Sequence, residues 1–253
     1  MKLPSRLQHG EGAELVDHLD ELRTRLIVSV GVVLVGTTVA FVFHHRIVQW
    51  MIDPLPNGHR ELLTLGVAEP FTTSLKVSIA AGFGLALPVV LWQLWGFFAP
   101  ALEPKAQRGV RMLTAFAGAL VVAGVAFGYR VALPASLKFL VNYDDSLYNS
   151  QLRAADYISF ALLVLAACGA VFELPVAVLG LVRVGALTSK KLRSNRKIGY
   201  MIVAIIAVAL PGIDPVTTMV ETVPLAILFE TSIWMSVAFE KRWFPERSPL
   251  PTA

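Results

Sequence analysis

Long uncharged apolar runs alternate with short polar stretches along almost the whole chain. The runs extend from Leu26 to Phe43, Val77 to Leu102, Met112 to Tyr129, Tyr157 to Val182 with one interruption at Glu173, Ile198 to Ile213, and Thr222 to Phe239 with one at Glu230. A helix needs about 20 residues, at about 1.5 Å each, to cross a hydrocarbon core about 30 Å thick. Several of the runs reach or approach that length, and none shows the period-two alternation of a membrane barrel. The pattern predicts an all-α integral membrane protein of six transmembrane helices, a single domain over residues 1–253. The expected spans are about 26–43, 77–102, 112–129, 157–182, 198–213 and 222–239, with an amphipathic entry helix over 14–25 and a tail over 240–253.

The fifth run is bracketed by Arg196 and Lys197 at one end and by Pro211, Gly212 and Asp214 at the other. That leaves about 14 helix-compatible residues, or roughly 21 Å, too short for an unperturbed bilayer. The sixth run follows at once, so a short fifth/sixth hairpin is expected, with Asp214 and Glu230 beside it. Two longer connections, His44 to Lys76 and Arg130 to Asp156, have the length to fold over one mouth of the bundle. Within the first, Ile47, Val48, Trp50, Met51, Ile52 and Leu55 precede Pro56 and Gly58, which suits either a short interfacial helix or a solvated loop.

Composition strengthens the membrane reading: 55% of the residues are hydrophobic and 16% charged, and the mean hydropathy is +0.64. Lysine and arginine divide sixteen to six between alternate connecting segments. That bias places the richer segments, and both termini, in the cytoplasm. The net charge of +4 is therefore read as topology and not as nucleic-acid binding. The first apolar run follows 25 residues of mixed charge without a small-residue cleavage site, so no removable signal peptide is expected. Cys168 is the only cysteine, which excludes an internal disulfide. No His-Glu-x-x-His or Gly-x-Ser-x-Gly motif occurs, and His9, His18, His44, His45 and His59 all lie outside the spans. Neither enzyme chemistry nor a cofactor or metal is expected.

Three places carry candidate chemistry. Glu173 stands ten positions before Arg183, roughly 15 Å along a helix and so near mid-membrane. Ionisable groups there face a bundle, a watery cavity or a partner. In the entry helix, Leu15, Leu19, Leu22 and Leu26 recur at helical spacing while Glu14, Asp17 and Glu21 share another face. Such a carboxylate row suits a guanidinium partner; Glu21 and Arg25 also form an i, i+4 pair that could satisfy itself. At the end of the second run, Trp92 to Phe98 mark a membrane interface, Pro100 and Pro104 end the helix, and Glu103 adds an acid to the apolar rim.

These residues resemble a known family. His18 to Leu26 is similar to the entry helix of TatC, the multi-span receptor subunit of the twin-arginine protein translocase. Glu69-Pro70-Phe71, Leu87-Pro88, Gln93 to Pro100, Phe172-Glu173-Leu174-Pro175 and Pro211-Gly212-Ile213-Asp214-Pro215 follow in the family's order over about residues 14 to 240.

The resemblance implies a receptor for twin-arginine signal peptides of folded proteins at the cytoplasmic face of the cell membrane. It also implies assembly with single-span TatA and TatB type subunits, in several copies, and export driven by the proton gradient. Carried over by position, Glu21, Arg23, Phe97 and Pro100 are the expected signal-peptide residues, to which this chain's own Glu103 is added. Glu173, Asp214, Thr218 and Glu230 are the expected partner contacts. Members of the family commonly carry a glutamate six residues after the proline matched by Pro100, where this chain has Ala106; Glu103 is the candidate substitute. Thr218 stands where some members carry a longer amide. The alternative function is a proton-coupled small-molecule transporter, for which no matching inverted halves are found.

Overall fold

The computed structural model describes residues 9–56, 58–98, 104–143, 151–183, 185–209 and 215–243. They form α1 (His9–Val42), α2 (His44–Ile52), α3 (Glu69–Phe98), α4 (Pro104–Phe127), a π-helical turn (Gly128–Ala132), α5 (Leu133–Val141), α6 (Ala154–Phe172), α7 (Leu174–Arg183), α8 (Ser189–Ser194), α9 (Arg196–Ala209) and α10 (Pro215–Trp243). Among the described residues there is no strand, only an isolated bridge between Leu63 and Arg153. Five segments, built on α1, α3, α4 with α5, α6 with α7, and α10, are long and apolar enough to cross a membrane. Between the last two of these segments in chain order lies the 14-residue α9, about 21 Å long, so the short member of the hairpin is present as the sequence predicts. The molecule is an all-α, multi-pass integral membrane protein.

Several boundaries differ from the apolar runs, each for a local reason. Entry helix and first span are one continuous helix, since nothing between His9 and Val42 breaks it. The hydroxyls of Thr24, Ser29 and Thr38 donate to carbonyls four residues back and so are satisfied without water. The connection from Arg130 is not loop at its start: helix continues through the π turn to Val141. Pro134 lacks an N–H and its ring would clash with the carbonyl four residues back. The widened turn, in which Leu133 N–H reaches Gly128 O, relieves that clash. In the fourth span the helix is interrupted at Glu173, because Pro175 removes a donor and crowds the Val171 carbonyl.

The chain packs as two compact units. The first comprises residues 1–42 and 78–115. Here α1 and α3 approach backbone to backbone: a Cβ on Gly36 would meet the Gly82 carbonyl, and one on Gly82 would strike the main chain of Thr37. Small residues at such a crossing permit the close packing that holds helices together in lipid.

The second unit comprises residues 43–77 and 116–253. Its larger core gathers Met51 and Leu55 from α2 and the residues after it, Leu133 and Leu137 from α5, and Tyr157, Ile158, Ala161, Val164 and Cys168 from α6. The segment before Pro56 is thus a helix, and its apolar side is buried in protein. Tyr157 OH donates to Met51 O and Tyr129 OH donates to Trp50 O at 2.8 Å, which pins α2 by its carbonyl end. Gly124 and Gly128 let α4 lie against Cys168 and Phe172 of α6. A second core joins α9 to α10 through Val203, Ala207, Leu225, Phe229 and Ile233.

Candidate functional site

Within the first unit, the carboxylate of Glu21 and the guanidinium of Arg25 meet one helical turn apart on α1. Arg25 Nε and Nη2 both donate to Glu21 Oε1, at 3.0 and 2.5 Å. Arg25 Nη1 reaches across to α3, where it donates to the side-chain oxygen of Gln93 at 3.3 Å and to its main-chain oxygen at 3.4 Å. Gly96 clears the space, since a Cβ there would overlap Nη1. The pair is half-buried, with side-chain exposures of 24% for Arg25 and 35% for Glu21. The arrangement is a seat for one planar cation: a carboxylate and two neutral oxygens around a glycine-lined gap.

The expected signal-peptide residues divide around this seat. Glu21 is in it, and Phe97 is partly buried on the same end of α3, one residue beyond Gly96. Arg23 is exposed; two residues from Glu21 is about 200° around a helix, so it faces away from the seat. Pro100 and Glu103 lie outside the described residues. Sequence reasoning had noted the Glu21 and Arg25 spacing but missed Gln93 and Gly96 as members. The signals for them were their place in the interfacial segment and in the family motif from Gln93 to Pro100, neither of which reveals which way an amide points.

In the second unit, Glu173 occupies the break between α6 and α7. Its main-chain N–H donates to Ala170 O at 3.1 Å, and its carbonyl accepts from Ala177 at 2.9 Å. Its Oε1 is buried, and no described group donates to it. A carboxyl at a helix break in the middle of a span is a strong polar feature in lipid, where association with a partner can satisfy it. Glu230 is engaged internally: Tyr200 OH donates to Oε1 at 2.7 Å, and Arg196 Nη2 lies 3.2 Å from Oε2, which ties α10 to α9. Thr218 is partly buried in the first turn of α10, and its carbonyl accepts from Thr222 Oγ1 at 2.6 Å. Asp214 lies outside the described residues.

Two acids were not singled out for a role in the sequence. Glu221 is only 3% exposed, inside α10. It lines a small cavity with Phe127, Cys168, Val171, Phe172, Pro224 and Leu225. The apolar run begins at Thr222, one residue past Glu221, whereas Pro215, a favoured first helical residue, marks the earlier start of α10. Glu69 is 6% exposed and is the hub of a clasp at the α2 end of its unit. Oε1 accepts from Arg153 Nε at 3.0 Å and Ala155 N at 3.2 Å. Oε2 accepts from Arg153 Nη2 at 3.1 Å, Leu65 N at 3.0 Å and Gly66 N at 3.2 Å. The hydrogen bond and charge of Glu69 push the Arg153 guanidinium above its ordinary pKa, so it stays a cation. Among the described residues no group of three or more His, Cys, Asp or Glu could hold a metal ion.

A family model described as Sec-independent protein translocase protein (TatC) matches residues 17–224. The Sec-independent protein translocase protein TatC of Carboxydothermus hydrogenoformans is 32% identical over 231 residues, 91% of this chain and 95% of that protein. Its counterpart from Aquifex aeolicus is 35% identical over 225 residues, 87% and 93% of the two chains. A crystal structure of a twin arginine translocase receptor, TatC, superposes with a TM-score of 0.73 at 34% identity, covering 87% of this chain and 98% of the other.

Proposed function

Because the chain belongs to the TatC family of Sec-independent protein translocase proteins, we propose that it receives twin-arginine signal peptides of folded cargo at the Glu21 seat. The observation that carries this reading is the seat itself, a carboxylate already shaped around a guanidinium at the mouth of a membrane helix. Guanidinium presents a planar fork of donors, whereas an ammonium offers a compact point charge that satisfies one acceptor direction at a time. A site with acceptors on two helices therefore prefers arginine to lysine. The seat faces the cytoplasm, as the sixteen-to-six bias of basic residues supports, and both termini lie on that side.

The second signal arginine meets Glu103 or the end of α3 near Phe97 and Pro100, while Arg23 stays on the solvent side of α1, turned away from the seat. The apolar part of the signal then runs along the bundle, where burial contributes about 25 cal/mol per Å². Single-span subunits of the TatA and TatB type dock where polar groups meet lipid, beside Glu173 and along the short α9 and α10 hairpin with Asp214, Thr218 and Glu230. Several copies join in the assembled complex, and the proton gradient drives export. The transporter alternative has no support, since the matched relatives are translocase proteins.

The test is export in cells whose own copy of this gene is deleted. Glu21→Ala should stop export of a twin-arginine reporter while the chain remains in the membrane at its normal level. Undiminished export by that variant would reject the reading.

A further inference from the structure

The seat is occupied by the chain's own arginine. Both donor atoms that Arg25 offers to Glu21 fall on Oε1, and its third nitrogen takes the two oxygens of Gln93. A carboxylate, an amide oxygen, a helix carbonyl and a gap cleared by Gly96 are what a bound signal arginine would need. In this structure Arg25 has them all. The bond is also weak by nature, because half-exposed ion pairs one helical turn apart are screened by water and carry little net stability. It can be exchanged.

We propose that Arg25 is a resident competitor: it holds the guanidinium seat in the empty receptor and is displaced by an arginine of the incoming signal. This rests on the proposed function. Physically, occupancy by Arg25 leaves only a fraction of molecules open, and the apparent affinity of every ligand falls by that fraction. The factor is the same for any cation, so the ratio between arginine and lysine peptides is untouched. What changes is the threshold: a ligand that pairs weakly, such as a lysine peptide or a stray basic segment, drops below useful binding. A twin-arginine signal, anchored also by its apolar segment, stays above it. The filled seat keeps its shape between cargoes, because the displaced and the displacing groups are the same chemical species.

The experiment measures binding of a fluorescent synthetic signal peptide to the full-length chain in detergent, with the two arginines intact or changed to lysine. Arg25→Gln should tighten both peptides by the same factor, roughly two- to tenfold, with the arginine-to-lysine ratio unchanged. Adding Gly96→Ala to that variant should remove the gain, since the new methyl fills the space vacated by Nη1. Glu21→Gln should weaken the arginine peptide and erase its advantage. Unchanged or weaker binding by Arg25→Gln, with Glu21→Gln still impaired, would overturn the competitor role and leave Arg25 a staple between α1 and α3. Full binding by Glu21→Gln would instead reject the seat itself. If Arg25→Gln does not yield a folded protein, Arg25→Lys serves, because an ammonium cannot span Glu21 and Gln93 together. It should also bind the arginine peptide more tightly than the native chain, and a failure to do so would equally overturn the proposal.

Discussion

Glu69 shows how much one side chain can organise. It draws three main-chain N–H groups and one edge of a guanidinium, Nε and Nη2, onto two oxygens, joining residues 84 positions apart. Leu63 and the residues around Arg153 add main-chain bonds of 2.9 and 2.8 Å to the same junction. Removing the acid strands all these donors at once, so Glu69→Ala should lower the melting temperature of the detergent-solubilised protein clearly. Lys76→Ala, which deletes a single 3.5 Å bond to Ser159, should barely move it; equal shifts would deny the clasp its role. Met51 is 2% exposed among α5 and α6 side chains, and Met51→Ala should cost about 2–5 kcal/mol through the cavity it leaves. Neither residue's importance was legible in the sequence beyond a motif match or an apolar pattern. Partners so far apart in the chain leave no periodic trace, whereas Glu173 announced itself by being charged in an uncharged run.

At the scale of elements, each of the five helical segments long and apolar enough to cross a membrane overlaps one of the apolar runs, and the lone short run marked α9 through Arg196, Lys197 and Pro211 at its ends. What the runs could not give were ends set by geometry. Helix α3 begins at Glu69, well ahead of its apolar run, where the Glu69 carboxylate is buried and held by Arg153 and three main-chain N–H groups. The helix after Tyr129 continues because a π turn absorbs Pro134. The same residue type stands at the break of the fourth span at Pro175 yet passes within α3 at Pro88, so the residue type alone does not fix the outcome. Pro175→Ala should straighten α6 and α7, bringing spin labels at Phe160 and Leu181 toward the roughly 31 Å of an unbroken helix. An unaltered distance would mean that something other than proline makes the bend. At the α1 and α3 crossing, Gly82→Leu forces a side chain into the Thr37 backbone and should destabilise by about 1–3 kcal/mol or more. Its melting temperature checks this, with Gly84→Leu, at a position with open space, as the control.

For the whole molecule, the sixteen-to-six distribution of basic residues predicts cytoplasmic termini, and the role proposed for the Glu21 seat needs them there. In a Cys168→Ser background, a membrane-impermeant thiol reagent should label Ser194→Cys from the cytoplasmic side and Asn142→Cys from the opposite side. The reverse pattern would remove the seat from its ligand. Family, fold class and multi-pass character were all legible in the sequence, since they reside in run lengths and ordered motifs. The internal occupant of the seat was legible only as one of two readings of a four-residue spacing, because spacing cannot say whether a carboxylate pairs at home or abroad. The most direct measurement of the central claim is photocrosslinking in inverted membrane vesicles, with a photoreactive residue at Leu22, beside the seat. A signal peptide with both arginines should be captured there and its twin-lysine counterpart should not. Equal capture of the two would contradict guanidinium recognition at Glu21.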